Sequence, residues 1–487
     1  MKWLAAGALL VLVGTTGCGS QYRPVITPVI PTGPASQPAS LVVVFSQPGL
    51  VLPAMLPTTA PPCPTQDGVV IAYPNPGVVT LLNRSGDSIS ATAEVGNGPL
   101  SFAMDNAGAN AFSLNCDGTI STVPVSATLQ TRDVGTSTLL GNAAPINSLV
   151  VTGTQYVVEQ GRTAIAAMTG NPPSLKQEIL VAPSVINMVG VSGAQRAYSI
   201  SQGNTGTPSF PWGTCADPSS VSIAGEADAI ENSSLTVSAR LPLGICPVYG
   251  IASADGQRVF ILNRGSGTIT VINSQLNTVD TALNPAGTIN LCGGAASCNA
   301  GPVYGSLYTP GSLLVVSNYD NNTISVIDVS LDIYGNDSPT FGKVLATIPV
   351  GLHPAAVTVL QDGSRAYVAN EGIICTGSNS STCTDTGSVT IVNLVSLSVQ
   401  NTLQLGTVVP NPRSIASTYT YPAGKVYVSS QNSPNVMIIR TDTDVVSATL
   451  QMQGNVVDLQ TTTQYAGSTT QGGNAITVSR SVGSGAP

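Results

Sequence analysis

One pattern of short apolar runs recurs along the chain from about residue 63 to residue 460. Its clearest copy reads HPAAVTVLQDGSRAYVAN at 353–370 and continues as GSVTIVNLVSLSVQNTLQLG at 387–406. Similar copies begin at residues 246 and 301. Within each copy, apolar and polar residues alternate with period two between turn pairs such as Asp-Gly and Pro-Gly. This pattern predicts β-strands joined by tight turns.

Four short strands in each repeat are typical of a β-propeller blade, so we predict a single all-β propeller. The residue that ends the second strand of each copy sets the blade count. It falls at Asn75, Asn115, Glu159, Ser201, Asn263, Asn318, Asn370 and Ser430. We therefore expect eight blades. Seven remain an alternative, because the third and fourth copies are weak.

The first copy lacks an opening strand, and the segment Asn455–Gln460 could supply it from the other end of the repeat region. Such a strand exchange would close the ring and remove exposed sheet edges. The recurring Asn is interpreted as a turn residue, since Asn tolerates left-handed backbone geometry and bonds its own backbone.

Three further segments flank the predicted propeller at 63–460. Residues 1–17 contain Lys2 and an apolar run too short to span a bilayer, which indicates a cleaved signal peptide. Residues 18–62 are rich in proline and predict a stiff tether, in which the patch Leu41–Phe45 could dock as a strand or as a plug. Residues 461–487 are rich in Ser, Thr and Gly and predict a flexible tail.

Charge and histidine content narrow the range of functions. The chain has 16 Lys+Arg against 24 Asp+Glu, and its net charge of −8 argues against binding to nucleic acid. His353 is its single histidine, and no Cys-x-x-Cys pair occurs. We therefore predict no metal, no cofactor and no catalytic residue, with His353 at a joint between blades.

Nine cysteines are present, and an even number remains once Cys18 is set aside. In an exported chain, this favours disulfides over metal ligands, the alternative being free buried thiols. The expected pairs are Cys292 with Cys298, Cys375 with Cys383, Cys63 with Cys116, and Cys215 with Cys246.

Two stretches resemble known bacterial sequences. Tyr367-Val368-Ala369-Asn370, the following Gly-Ser-Val-Thr-Ile-Val and the joint Val344–Pro354 resemble the YVTN family of β-propeller repeats. This resemblance implies an exported or surface-attached propeller. The Gly17-Cys18 junction resembles a lipoprotein lipobox, although Thr15 stands where Leu is usual; the alternative is an ordinary signal peptide. The lipobox resemblance implies lipidation of Cys18 and, with Gly19 next to it, delivery to the outer membrane, on its periplasmic or surface side.

Insertions in the later repeats are the best candidates for binding, because long loops on a rigid scaffold commonly carry function. They cover 205–217, 291–300 and 372–386, and the candidate contact residues are Phe210, Trp212 and His353. The predicted function is a monomeric binding or scaffold module for an envelope protein, peptide or glycan. The alternatives are a lactonase-like hydrolase that uses channel carboxylates, with or without a divalent metal, and a surface-coat component. Convergence of Asp, Glu and His353 at one channel mouth would favour the hydrolase.

Overall fold

The structure is a computed structural model of the 487-residue chain. It describes residues 41–49, 65–66, 69–70, 75–105, 108–139, 145–159, 162–191, 194–203, 215, 221–253, 255–293, 299–308, 313–360, 362–372, 387–418, 424–462 and 480–481.

Eight antiparallel sheets of four main strands form a ring, so the predicted eight-bladed β-propeller is confirmed and the seven-blade alternative is wrong. Within each blade we name the strands inner, second, third and outer, and each inner strand contacts the inner strands of its two neighbours. Blade 1 consists of Asn455–Thr461, Leu41–Gln47, Gly77–Asn83 and Ser88–Val95; blade 2 of Pro99–Met104, Asn110–Asn115, Thr119–Pro124 and Gly135–Thr138; blade 3 of Pro145–Val151, Thr154–Glu159, Ala164–Thr169 and Ser174–Leu180; and blade 4 of Val185–Val191, Arg196–Ser201, Ala224–Glu231 and Thr236–Ile245.

The second half of the ring follows the same order. Blade 5 consists of Pro247–Ala252, Arg258–Asn263, Thr268–Asn273 and an interrupted outer edge, Thr278–Val279 with Thr288–Asn290; blade 6 of Pro302–Tyr308, Leu313–Asn318, Thr323–Asp328 and Val344–Pro349; blade 7 of Pro354–Val359, Arg365–Asn370, Ser388–Asn393 and Ser398–Gln404; and blade 8 of Ser414–Ser417, Lys425–Ser429, Asn435–Arg440 and Val445–Gln451. Two short pairings lie outside this scheme, namely Thr65–Gln66 with Val69–Val70, and Arg480–Ser481 along the inner strand of blade 2.

Blade 1 joins the two ends of the repeat region, as the sequence predicts. Its inner strand Asn455–Thr461 pairs antiparallel with Leu41–Gln47, so Leu41–Phe45 docks as a strand and not as a plug. The ring therefore begins within the segment expected to be a tether. Asn75 does not end the second strand of this blade; Gln47 does, because the apolar run at 41–45 fills a buried strand position.

Antiparallel pairing distributes the connections over two faces of the ring. Inner strands begin on one face, which we call the entry face, and the second and outer strands end there. The opposite face, which we call the exit face, carries the turns from inner to second and from third to outer strands. In blade 7, for example, Pro354 pairs with Asn370 at the entry face, and Arg365 pairs with Asn393 at the exit face.

The recurring Asn is not a turn residue, so that interpretation is wrong. Asn115, Asn263, Asn318 and Asn370 are fully buried, and none has a positive φ. Each Nδ2 donates to two hydroxyls of the neighbouring third strand at 2.9–3.2 Å. These Asn side chains therefore tie the second strand to the third strand within a blade.

The same Asn explains the glycine at three joints between blades, where Gly96, Gly244 and Gly351 lie against Asn115, Asn263 and Asn370. Asn263 Oδ1 accepts a hydrogen bond from the N–H of Gly244, in the outer strand of the preceding blade, at 3.1 Å. A Cβ added to Gly244 would lie 2.8 Å from Asn263 Cγ, and one added to Gly351 would lie 2.7 Å from Asn370. Glycine is therefore required at the end of the preceding blade, because any larger side chain would collide with the side-chain amide of the Asn.

We expect Asn263→Ala to lower the free energy of unfolding by about 1–3 kcal/mol, because two threonine hydroxyls and the Gly244 N–H would lose their buried partner. Urea unfolding followed by tryptophan or tyrosine fluorescence measures the loss. The matched control is Asn75→Ala, since Asn75 is exposed. Its effect should stay within about 0.5 kcal/mol. Equal losses for the two variants would contradict the structural role assigned to Asn263.

Candidate functional site on the entry face

The three insertions singled out in the sequence all connect strand ends that lie on the entry face, whereas the long connection 329–343 of blade 6 lies on the exit face. The segment 204–220 joins the second and third strands of blade 4, and 373–386 does the same in blade 7. The segment 291–301 joins the outer edge of blade 5 to the inner strand of blade 6. Most of these residues, Phe210 and Trp212 among them, lie outside the described part of the chain. The attachment points nevertheless concentrate the added sequence on one side of the ring.

A disulfide links one insertion to the ring. Cys215 is bonded to Cys246, with 5.5 Å between their Cα atoms, which is the pairing the sequence suggests. Cys246 immediately precedes the inner strand of blade 5. Cys116 and Cys292 are also disulfide-bonded, and their partners are outside the described residues, where Cys18, Cys63, Cys298, Cys375 and Cys383 all lie.

Three side chains from three different blades meet in a buried ion-pair network beneath this face. Glu371, from the end of the second strand of blade 7, is fully buried. It accepts a hydrogen bond from the Tyr319 hydroxyl of blade 6 at 2.7 Å and forms an ion pair with Arg413, which precedes the inner strand of blade 8. Asn411 Nδ2 donates to the Glu371 carbonyl at 2.7 Å, so backbone and side chain are both held.

His353 lies against this network. Its ring stacks on Tyr319, with 4.8 Å between ring centroids and 23° between planes. Its Nδ1 lies 3.0 Å from the Gly372 carbonyl; a carbonyl only accepts, so Nδ1 carries the proton. His353 has φ 52°, in the position before the inner strand where blades 2, 4, 5 and 6 have Gly98, Ser184, Cys246 and Gly301, all with positive φ. The left-handed backbone at this position is therefore a feature of the repeat and not of His353 alone.

Arg264 extends the cluster toward blade 5. Its guanidinium makes two contacts with Asp320 at 2.7 and 2.9 Å and donates to the Cys215 carbonyl at 2.8 Å. Its Cζ also lies 5.7 Å from the centroid of the Tyr319 ring. Arg264, Tyr319, His353, Glu371 and Arg413 form what we call the entry-face cluster. Through Arg264, this cluster is joined to the disulfide that holds the blade 4 insertion.

Burial shifts the two acidic groups at the centre of the cluster. The pKa of Glu371 is raised because desolvation outweighs the opposing effects of Arg413, Tyr319 and His353. The pKa of Tyr319 is raised as well, first by burial and then by the charge of Glu371. The Tyr319 hydroxyl therefore stays protonated and donates to the carboxylate.

Sequence reasoning identified His353 but missed its neighbours. A signal was present, since Arg264, Tyr319 and Glu371 each directly follow the recurring Asn in three consecutive repeats. Arg413 stands immediately before an inner strand, as His353 does. The recurring Asn belongs to the repeated framework of the blades. The residue after it differs from blade to blade, and such a variable position is where residues of a functional cluster can be found.

The arrangement differs from the one expected for a channel hydrolase. Among the eight inner strands as described, the only acidic residue is Asp458, which accepts a hydrogen bond from Ser414 Oγ at 2.8 Å. Glu371 is paired with Arg413 and does not bond His353 directly. No group of three potential metal ligands occurs within the described ranges.

Fold and site together define an eight-bladed β-propeller with a pre-organised entry face. Residues 314–414, from blade 6 to the start of blade 8, match the Choice-of-anchor I domain. This match points to a protein of the cell surface or envelope. A search of the described residues finds no helix able to cross a membrane. No curated protein sequence matches the chain.

Two solved structures illustrate how widely this architecture is used. The chain is 12% identical to apo AztD from Citrobacter koseri, with 87% of this chain and 97% of that one covered and a TM-score of 0.54. It is 13% identical to the dihydro-heme d1 dehydrogenase NirN in complex with DHE, with 87% and 80% covered and a TM-score of 0.54. At this identity the likeness shows the fold alone, and function has to be argued from the site.

Proposed function

We propose that the protein is an exported, lipid-anchored propeller whose entry face binds a protein, peptide or glycan of the cell envelope. The observation that carries this proposal is the entry-face cluster, in which residues from blades 5, 6, 7 and 8 lock together directly below the attachment points of the insertions. Because these residues are already fixed, binding to this face would cost little additional ordering.

The chemistry of the face favours polar and aromatic recognition over charge attraction. Arg264 is neutralised by Asp320 and Arg413 by Glu371, so neither guanidinium presents a free charge. His353 is half-buried, and among the described residues none bonds its Nε2. This nitrogen is therefore available for a hydrogen bond with a polar group of a ligand.

A hydrolase function is less well supported than a binding function. A general acid–base mechanism needs groups within hydrogen-bond reach of the reacting atoms, and acid pairs tune each other's pKa. The inner strands as described contain a single carboxylate, Asp458, which is fully buried, and the carboxylate of the entry-face cluster is held by an arginine. The residues of the entry-face cluster are therefore better suited to fixing the shape of a binding surface than to acid–base catalysis.

A photo-crosslinking residue placed at Asn321, exposed on the entry face beside Tyr319, tests the binding proposal. Its matched control is the same residue at Val395, which is 83% exposed in the exit-face turn of blade 7. In intact cells of the native host, we expect one dominant adduct from position 321 and none from position 395. Adducts from position 395 alone would place binding on the other face and contradict the proposal.

The same cultures test the anchor. Cys18→Ser is expected to move the protein from the membrane fraction to the soluble envelope fraction, because the thiol that carries the lipid would be absent. Retention of the variant in the membrane fraction would show that a different segment anchors the chain, and wild-type protein found only in the soluble fraction would show that Cys18 carries no anchor.

A further inference from the structure

Gln155 breaks the repeat at a position where the other seven blades carry a buried apolar residue. In every blade, this position of the second strand pairs with the penultimate residue of the third strand, as Gln155 pairs with Met168. The equivalent residues, all fully buried, are Val42, Ala111, Ala197, Val259, Leu314, Ala366 and Val426. Gln155 is 3% exposed and thus equally buried. The seven equivalent blades therefore show that the fold by itself requires an apolar residue at this position.

Within the described part of the chain, the Gln155 amide has no hydrogen-bond partner. Neither its Oε1 nor its Nε2 is bonded to a described residue, and both atoms are buried. An amide removed from water without a partner costs roughly 1–3 kcal/mol in proteins, so a framework under selection for stability alone would place an apolar side chain here. The polar group is consistent with a ligand that supplies both missing bonds.

A cavity of about 300 Å³ lies between blades 2 and 3 on the exit face, and Gln155 is one of the residues that line it. Its walls include Phe112 and Val150 and the thioether of Met168, all buried. Its rim includes Asp105, whose carboxylate accepts hydrogen bonds from the N–H of Ala109 at 2.8 Å and from Asn110 Nδ2 at 2.7 Å. Asn110, Thr152 and Asn171 also line the cavity. The lining thus combines apolar walls with the Gln155 carboxamide, the Asp105 carboxylate and these three polar side chains.

We propose that this cavity is a second ligand site, which takes a small neutral molecule with an aromatic or aliphatic body and a primary amide or lactam edge. An amide edge presents one donor beside one acceptor and so matches the two atoms of the Gln155 carboxamide. The volume is at the lower limit of ordinary ligand pockets. The Asp105 carboxylate disfavours anions, so a carboxylic acid of the same shape is rejected.

Titration of the full-length protein with benzamide, followed by saturation-transfer NMR and calorimetry, tests the proposal. Toluene, which lacks the amide, and benzoate, which carries a charge, are the matched ligands. We expect binding of benzamide, with at least ~10-fold weaker binding of both other compounds, which corresponds to the loss of about one buried hydrogen-bonded pair. Absence of benzamide binding at millimolar concentration would overturn the proposal and assign the cavity to water.

Gln155→Met keeps the length of the side chain and removes its amide. The variant should bind benzamide at least ~10-fold more weakly and unfold at a higher temperature than the wild-type protein, because an unpaired polar group is replaced by an apolar one. The matched control is Gln275→Met, at an exposed turn of blade 5, which should change neither value. Equal benzamide affinity in the wild type and Gln155→Met would also overturn the proposal.

Discussion

Arg413→Met is expected to lower the free energy of unfolding by about 3–5 kcal/mol, because it leaves the carboxylate of Glu371 buried without its charged partner. Glu371 is fully buried, and the Arg413 side chain is only 11% exposed, so solvent cannot replace the lost pair. Chemical denaturation at neutral pH measures the loss. An effect below about 1 kcal/mol, the size of a surface ion pair, would contradict the role assigned to this contact.

The loss should also depend on pH in a direction set by Glu371. Its pKa is raised in the folded protein, so the native state holds the proton more tightly than the unfolded chain does. The contribution of Glu371 is therefore fully present below its ordinary pKa of 4.5 and is lost as the pH rises through the higher folded value. Without Arg413, one of the groups that lower this pKa is gone, and the variant should lose more stability at neutral pH than near pH 4.5.

The double variant Arg413→Met/Glu371→Gln is the control for this interpretation. It removes the titrating group, so the difference in stability between neutral and mildly acidic pH that is specific to Arg413→Met should disappear. A pH dependence that persists in the double variant would mean that another buried acid, such as Glu159, whose pKa is also raised by burial, is responsible.

Ending the chain at Gly454 is expected to abolish folding to a soluble monomer. This truncation removes the inner strand of blade 1, in which Val456, Val457 and Leu459 are buried. Burial of three such side chains stabilises by about 1.5–3 kcal/mol each, a sum comparable with the whole stability of an ordinary domain. It also leaves Leu41–Gln47 as an open, apolar edge, which favours pairing between molecules.

Size-exclusion chromatography with light scattering measures this outcome. The matched control ends at Ser481, which retains the closing strand and every described residue of the tail. This longer chain should remain monomeric and unfold cooperatively. A monomeric, cooperatively folded 1–454 chain would show that the strand exchange does not close the ring.

Local patterning accounts for how much of the fold could be predicted. Period-two alternation and turn pairs are properties of neighbouring residues, so the strands, the blade count and the closing strand 455–460 follow from them directly. The error at Asn75 arose because the 29-residue connection 48–76 separates the second strand of blade 1 from its third strand. If the repeats are assumed to be evenly spaced, the end of the second strand of blade 1 is placed at Asn75 and not at Gln47.

The Asn interpretation failed for a different reason. Local chemistry permits Asn in a turn. Only the pairing of the strands shows that the Asn Nδ2 reaches two hydroxyls of the third strand. It also shows that the Asn side chain packs against a glycine of the preceding blade. The expected roles of Phe210 and Trp212 and the expected pairings of Cys292 and Cys375 remain predictions, since they involve residues beyond the described ranges.

By itself the sequence determined that this chain forms a ring of antiparallel blades, because each blade is built from contacts between residues close together in the chain. Only the tertiary structure decided that Tyr319, Glu371 and Arg413 would share one buried site, and that Gln155 would line a cavity with no hydrogen-bond partner among the described residues. These contacts cross from blade to blade, and Tyr319 and Glu371 stand 52 positions apart in the chain. The repeat marks the variable position after the recurring Asn, but it does not show which side chains meet across such a distance.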